Sequence, residues 1–322
     1  MTEFELIERY FRRPARNAVL GVGDDAALIA PSPGFEIAAS VDMLVEGRHF
    51  FSGAEAEALG HKTLAVNLSD LAAMGATPRW ALLALALPSV DEAWLSAFAR
   101  GFFALADAHG VDLVGGDTTG GPRNLCVTVL GEVPAGKALR RSGAKGGDSI
   151  WVSGRLGDAA LAIARQLGRV RLEGADLADC ESALARPAPR VALGLALRGI
   201  ASAVIDVSDG LVGDLGHVLD ASRIGATIDI DALPRSSALD RQLGGANREI
   251  ALQCLLAGGD DYELCFTAPR ARDAAIAALG NRLQLPLTRI GIATAQHPGL
   301  EVRDASGRSL ERLPRAFDHF AS

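Results

Sequence analysis

A chain of 322 residues, 49% hydrophobic and 22% charged, is long enough for two ordinary domains, each with its own core. Its formal charge of −7 and the lack of any long basic run exclude a non-specific nucleic-acid binder. No apolar stretch approaches the roughly 18–20 residues needed to cross a bilayer, and residues 1–11 mix Glu3, Glu5 and Glu8 with apolar side chains, a short amphipathic helix and not a secretory leader. A soluble, cytoplasmic protein is expected. The cysteines agree: Cys126, Cys180, Cys254 and Cys265 form no Cys-x-x-Cys pair, and Cys126 and Cys265 fall in strand-like runs where a thiol behaves as a small core hydrophobe.

The sequence GVGDDAA at 21–27 sets Asp24 and Asp25 behind a Gly-x-Gly turn. It reads either as an exposed acidic turn or as a metal ligand at a strand edge. Residues 35–44 read as a strand, with Ser40, Asp42 and then His49 near its end. Residues 54–74 read as a helix closed by Gly75 and Pro78, because Leu64, Leu68 and Leu71 recur at helical spacing. Asp70 lies in this helix with Val66, Asn67, Ala73 and Met74 one turn away, so no local cation neutralises it. A carboxylate among so many apolar residues needs a partner from elsewhere: a metal, a distant Lys or Arg, or water. Residues 80–87 read as a buried strand, and 91–109 as a helix capped by Asp91. Residues 111–114 form a strand that runs into Gly115, Gly116 and Asp117, where backbone N–H groups can approach a phosphate without Cβ obstruction. A further strand covers 125–133.

A window rich in Pro and Gly, with Arg140, Arg141 and Lys145, marks a domain boundary; its basic residues either solvate a linker or meet an anionic ligand. Beyond it, the strand 149–153, the turn Gly154–Asp158 and a helix to about 167 form a common anion-binding arrangement that is neither a Walker A loop nor a dinucleotide fingerprint. Residues 169–186 read as irregular and 187–199 as helical. The most informative local motif is AVIDVSDG at 203–210: a buried strand delivers Asp206, Ser208 and Asp209 to its C-terminal end, ahead of a helix over 211–221. Two carboxylates and a hydroxyl within four residues suit hard Mg²⁺ ions and bound phosphates, although Ser208 or Asp209 can equally cap the helix. GGDDYE at 258–263 repeats the logic before another strand, later strands fall near 225–231, 286–293 and 300–302, and the aromatic tail around Phe317 is expected to dock on the body.

Six carboxylates, Asp25, Asp42, Asp70, Asp117, Asp206 and Asp209, thus share apolar or glycine-flanked settings. Brought together without cations they would repel; several Mg²⁺ ions sharing substrate phosphates would resolve this, and phosphoryl transfer from a nucleoside triphosphate fits. The segments GVGDDAAL, SVDMLVEGRHF, HKTLAVNLSDLAAMGA, LVGGDTT, RRSGAKGGD, VSGRLGDAA, IDVSDGLVGDLGH and GGDDYELCFT span nearly the whole chain. In their content and order the chain resembles the thiamine-monophosphate kinase family, within the superfamily of aminoimidazole-ribonucleotide-synthetase-like ATP-binding enzymes.

The resemblance implies an α/β (α+β) protein of two mixed domains: residues 1–136, which bind ATP and Mg²⁺ and dimerise through their sheets, and residues 148–322, with the docked tail. It implies phosphorylation of thiamine monophosphate by ATP to thiamine diphosphate, the last step of that cofactor's biosynthesis, by a homodimer. The implied Mg²⁺ ligands are Asp25, Ser40, Asp42, Asp70, Asp117, Asp206 and Asp209, with Val41 through its backbone. ATP is implied near Gly116, Asp117, Arg141 and Ser208, and thiamine monophosphate near His49, Asp260 and Phe317. Two positions depart from the family pattern: Asp260 stands where Glu is common, and Phe317 where a larger polar aromatic is often found. The acceptor is a phosphate monoester with a second pKa of about 6, so its oxygen can attack in line without a general base. Arg141 then serves as a charge stabiliser and His49 as a substrate contact. The alternatives are another ATP-dependent synthetase of the same superfamily and a non-catalytic nucleotide sensor.

Overall fold

The computed structural model describes residues 2–295, 299–304 and 306–315. The chain divides into two compact units, Met1–Leu71 with Ala76–Ala138, and Ala72–Gly75 with Leu139–Ser322. Each unit builds helices against one sheet, the mixed α/β class expected.

The first unit opens with a one-turn helix, α1 (Glu3–Leu6), closed by a capping box in which Thr2 and Glu5 each satisfy the other's backbone N–H. A π-helical turn, Ile7–Phe11, continues it. Strands β1 (Phe35–Val45), β2 (Thr77–Leu87), β3 (Asp112–Gly120) and β4 (Asn124–Pro134) form a sheet in the order β1-β4-β2-β3, parallel only between β2 and β3. Helix α2 (Ala56–Ala73) and helix α3 (Glu92–His109) complete the unit. Asp91 caps α3 as its sequence predicts, its carboxylate accepting from Ala93 N and Trp94 N, and Gly110 ends it in the left-handed conformation. The two helices cross at glycines: a Cβ on Gly60 would lie 2.0 Å from the Phe98 carbonyl oxygen, and one on Gly101 1.8 Å from that of Glu57.

The expected strand at 111–114 does not stop at the glycine pair but runs on to Gly120. Gly116 makes this possible, because its φ of 151° and its approach to β2 leave no room for a side chain: a Cβ would sit 1.8 Å from the Leu83 carbonyl oxygen. The sheet has two unlike faces. Along β1 the even positions Ser40 and Asp42 meet α2, and Leu125, Val127 and Val129 beside them on β4 are fully buried. The odd positions Phe35, Val41 and Met43 are exposed, and Cys126, Thr128 and Leu130 behind them are only half-buried.

The second unit contains β5 (Ser149–Ser153), α4 (Asp158–Gln166), α5 (Gly174–Ala185), α6 (Val191–Leu197), β6 (Ala203–Val207), α7 (Leu211–Ser222), β7 (Gly225–Asp229), α8 (Ser237–Leu243), α9 (Arg248–Ala257), β8 (Glu263–Ala268), α10 (Asp273–Leu283), β9 (Leu287–Thr294) and β10 (Gly299–Arg303). The sheet order is β10-β7-β9-β5-β8-β6, antiparallel except between β10 and β7. β6 is therefore an edge strand. Its core joins Ile150, Val152, Ile205, Leu215, Val218, Leu239 and Cys265. Helix α5 occupies a stretch that reads as irregular. Its apolar positions are mostly alanine and only Cys180 is buried, so it carries little periodic signal. The expected helix at 187–199 contracts to α6, because Pro187 and Pro189 disfavour helix in the residues before them.

Candidate active site

In the first unit, α2 supplies the buried polar groups that meet β1. Ser40 Oγ donates to Asp70 Oδ2 at 2.5 Å, and Asp42 N donates to Asn67 Oδ1 at 3.0 Å. Asn67 is itself fully buried and fixed by its Nδ2, which donates to the Thr63 carbonyl at 3.0 Å. Ser40, Asp42 and Asp70 are thus gathered on one face by two adjacent elements. Val41 points to the other face, so only its backbone can share their ligand. His49 Nδ1 accepts from Val45 N at 3.0 Å, which leaves Nε2 to carry the proton of the neutral ring. Asp25 lies in an exposed turn whose flanks pair through Leu20 and Leu28; its N–H is taken by Asp24 Oδ1. Cross-strand register puts Gly116 on the line of Asp42, through Val127 and Leu83, and Asp117 on the line of Met43, through Cys126 and Ala84. Asp117 is exposed on β3, the third strand from β1 across the sheet.

In the second unit, β6 ends at Val207 and the chain turns through Ser208, Asp209 and Gly210 into α7. Asp206 is buried on the strand, 5% exposed. The turn is shaped by Asp214, one helical turn further on, whose Oδ2 accepts from Ser208 N at 3.0 Å and Asp209 N at 3.1 Å. Burial pushes the Asp214 carboxyl up to about 6, against the backbone N–H of Asp209, which holds it down. The free edge of β6 is extended by the linker: Val204 N donates to the Arg140 carbonyl, and Ser222 Oγ at the end of α7 bonds the Arg141 carbonyl and the N–H groups of Gly143 and Ala144. Arg141, exposed, is thereby tied to the strand and helix that flank the VSDG turn.

The GGDDYE segment packs on the same turn. Asp260 N donates to the Ser208 carbonyl at 2.9 Å and Tyr262 N to that of Val207 at 2.8 Å. Gly259 passes so close that a Cβ there would lie 2.6 Å from the Ser208 carbonyl oxygen. Asp261 turns inward and both its oxygens accept from Gly157 N, at 2.9 and 3.0 Å. The glycine turn before α4 reads as an anion site, and it does face a carboxylate, but that carboxylate belongs to the chain. Beside it, Glu263 pairs with Arg190 and accepts from Ser153 Oγ at 2.6 Å, and Ser236 Oγ donates to Asp158 at 2.5 Å. Burial above all, with the nearby charge of Glu263, holds Asp261 well above the ordinary carboxylate range, so the folded chain keeps this proton more tightly than the unfolded one. Stability conferred here is therefore lost as pH rises from the ordinary carboxylate value through the folded one. Asp261→Asn keeps an acceptor for Gly157 N and carries no charge. Its melting temperature is expected to gain on the wild type as pH rises above the ordinary carboxylate range; an offset that does not change with pH would refute the assignment.

Among the described residues, no group of three or more His, Cys, Asp or Glu side chains is arranged to hold a metal ion by itself. Ser40 bonded to Asp70 beside Asp42 in the first unit, and Ser208 and Asp209 following Asp206 in the second, offer only hard oxygens. This set fits Mg²⁺, which keeps waters and shares substrate phosphates and does not need an all-protein cage. Phe317 lies outside the described residues. The sequence pattern assigns no role to Asn67 or Asp214 and marks Asp261 and Tyr262 only as part of the GGDDYE segment. Of the first two, only Asp214 had a local signal, as an acidic residue in the first turn of a helix that follows a Ser-Asp-Gly turn.

Comparison with known proteins agrees with this architecture. The family model "AIR synthase related protein, N-terminal domain" matches residues 23–133 and its C-terminal counterpart matches residues 145–303, which places the chain in this two-domain class. The thiamine-monophosphate kinases of Salmonella typhimurium strain LT2 and Escherichia coli strain K12 are each 46% identical to it, covering 99% of this chain and 98% of theirs. The crystal structure of thiamine-monophosphate kinase from Stenotrophomonas maltophilia K279a is 48% identical, with a TM-score of 0.86 over 96% of this chain and 98% of that one. A second solved structure, AaThiL complexed with AMPPCP and TMP, is 29% identical, with a TM-score of 0.78 over 93% and 92%. This chain belongs to the thiamine-monophosphate kinase family.

Proposed function

We propose that this chain transfers the γ-phosphoryl group of ATP to the phosphate of thiamine monophosphate, giving thiamine diphosphate and ADP. The observation that carries the reading is identity of 46% to curated kinases of this specificity over 99% of the chain. The solved relative bound to AMPPCP and TMP supports the same pair of substrates. The acceptor phosphate is largely dianionic at neutral pH, so its oxygen attacks in line and the chain needs no general base. The difficulty is to bring two anions together.

The proposed Mg²⁺ ligands are Asp25, Ser40, Val41 through its backbone, Asp42, Asp70, Asp117, Asp206 and Asp209. Bound there, Mg²⁺ supplies positive charge against the phosphates. Gly116, Asp117, Arg141 and Ser208 are proposed to bind ATP, with the Arg141 guanidinium offsetting charge that develops on the transferred group. His49, through its Nε2 proton, Asp260 and Phe317 are proposed to bind thiamine monophosphate. The carboxylate of Asp260 suits a substrate that carries a permanent thiazolium charge and an aminopyrimidine. Four cysteines with no disulfide between them suit the reducing cytoplasm. The homodimer is also proposed, supported by the apolar odd-numbered face of β1, where Phe35, Val41 and Met43 stay exposed.

Purified protein given Mg²⁺ and ATP is expected to make thiamine diphosphate from thiamine monophosphate and nothing from thiamine, and to elute with the mass of two chains in light scattering. Turnover of thiamine itself, or none of either acceptor, would overturn the reaction; a single-chain mass would overturn the dimer alone.

A further inference from the structure

Asp260 and Tyr262 are two of the four residues other than glycine that adopt positive φ among the described residues, at 71° and 51°. They stand one residue apart in the same segment. Such backbone costs free energy for a residue with a Cβ and persists where the surroundings over-determine it. Here the surroundings do so. The N–H groups of Asp260 and Tyr262 bond successive carbonyls of the β6 exit, those of Ser208 and Val207, and Asp261 between them is pinned to Gly157 N. The consequence is a reversal of side chains. Both carboxylates are half-buried, but Asp261 bonds Gly157 N whereas Asp260 Oδ1 accepts from the Tyr262 hydroxyl at 3.0 Å. Tyr262 is 8% exposed, so its ring is held by packing and its hydroxyl is a fixed donor.

We propose that Tyr262 is a positioning residue for the acceptor substrate: its hydroxyl fixes the rotamer of Asp260, so that the second Asp260 oxygen faces thiamine monophosphate while the backbone of the segment is locked to the Ser208 turn. The proposal rests on the reading of Asp260 as a substrate contact. A buried ring that acts only through Asp260 is expected, on its loss, to affect one substrate alone.

The test is a double-mutant cycle on the full chain with Tyr262→Phe and Asp260→Asn, reading the KM of each substrate, kcat, and calorimetric binding of thiamine monophosphate without ATP. Tyr262→Phe keeps the buried ring. It is expected to raise the KM and weaken the binding of thiamine monophosphate about five- to tenfold, a change the size of one lost hydrogen bond, with the KM of ATP and kcat unchanged within about twofold. In the Asp260→Asn background, where the amide oxygen still accepts from the hydroxyl but the charge offered to the substrate is gone, the same substitution is expected to raise the thiamine monophosphate KM by a smaller factor. If Tyr262→Phe leaves the thiamine monophosphate KM unchanged while Asp260→Asn raises it, the positioning role is overturned and the substrate contact stands. If Asp260→Asn also leaves it unchanged, the substrate contact falls and takes the positioning role with it. If both substrates' KM values and kcat shift together, Tyr262 is a packing residue and the proposal is wrong.

Discussion

Asp206→Asn and Asp42→Asn are each expected to lower kcat by about 10²–10³-fold, the usual loss when one preorganised group facing transition-state charge is removed. The argument is electrostatic. In the proposed transfer two anions must approach and the dianionic acceptor requires no general base, so charge neutralisation and positioning carry the catalysis. Each substitution deletes one negative charge from a proposed Mg²⁺ ligand without changing the shape of the side chain. Asp206 is 5% exposed at the end of a strand whose neighbours Ile205 and Val207 are 1% and 0% exposed, so the strand itself should hold. Asp42 keeps its backbone bond to Asn67 whatever its side chain carries. Melting temperatures within a few degrees of wild type, with collapsed turnover, are the expected pair of results. Near-normal turnover in both variants would remove the metal-assisted reading.

Gly101→Ala is expected to destabilise the first unit by about 3 kcal/mol or more, at the upper end of overpacking costs, which lowers the melting temperature by about 6–12 °C. The Cβ would sit 1.8 Å from the Glu57 carbonyl oxygen and 2.7 Å from its carbon. These are backbone atoms, so no rotamer change relieves the clash and the helices must separate. Gly60 makes the reciprocal contact against Phe98. Because α2 carries Asn67 and Asp70, the variant is also expected to lose activity out of proportion to the fraction unfolded. An unchanged melting temperature in a thermal scan would mean the helices do not cross at these glycines.

Much of this was legible because it is local. Asp91 announces the start of α3 by capping it, and the run AVIDV followed by SDG announces a buried strand that ends in a polar turn. What the sequence conceals is long-range. Asn67 looks like one more polar residue in an apolar helix until β1 packs against it, and Asp261 is indistinguishable from Asp260 until the backbone turns left-handed at Asp260 and directs the two carboxylates apart. Helix α5 was hidden for the opposite reason: alanines pack well but contribute little to a periodic pattern. Strand β3 outran its expected end because a glycine pair, normally a reason to break a strand, here lets two strands approach more closely.

Strand β1 turns Ser40 and Asp42 to one side and Val41 and Met43 to the other. Eleven consecutive residues therefore answer to two separate demands. A substitution at an outward position cannot be neutral merely because it is exposed, since a change of twist at Val41 or Met43 moves the inward residues on either side of it. If the proposed dimer covers the outward face, any effect of assembly on ligand affinity at the inward face is matched, by linkage, by an equal effect of the ligand on assembly. Affinity and assembly in this strand are two readings of one backbone conformation, and sequence drift is free to alter them only as a pair.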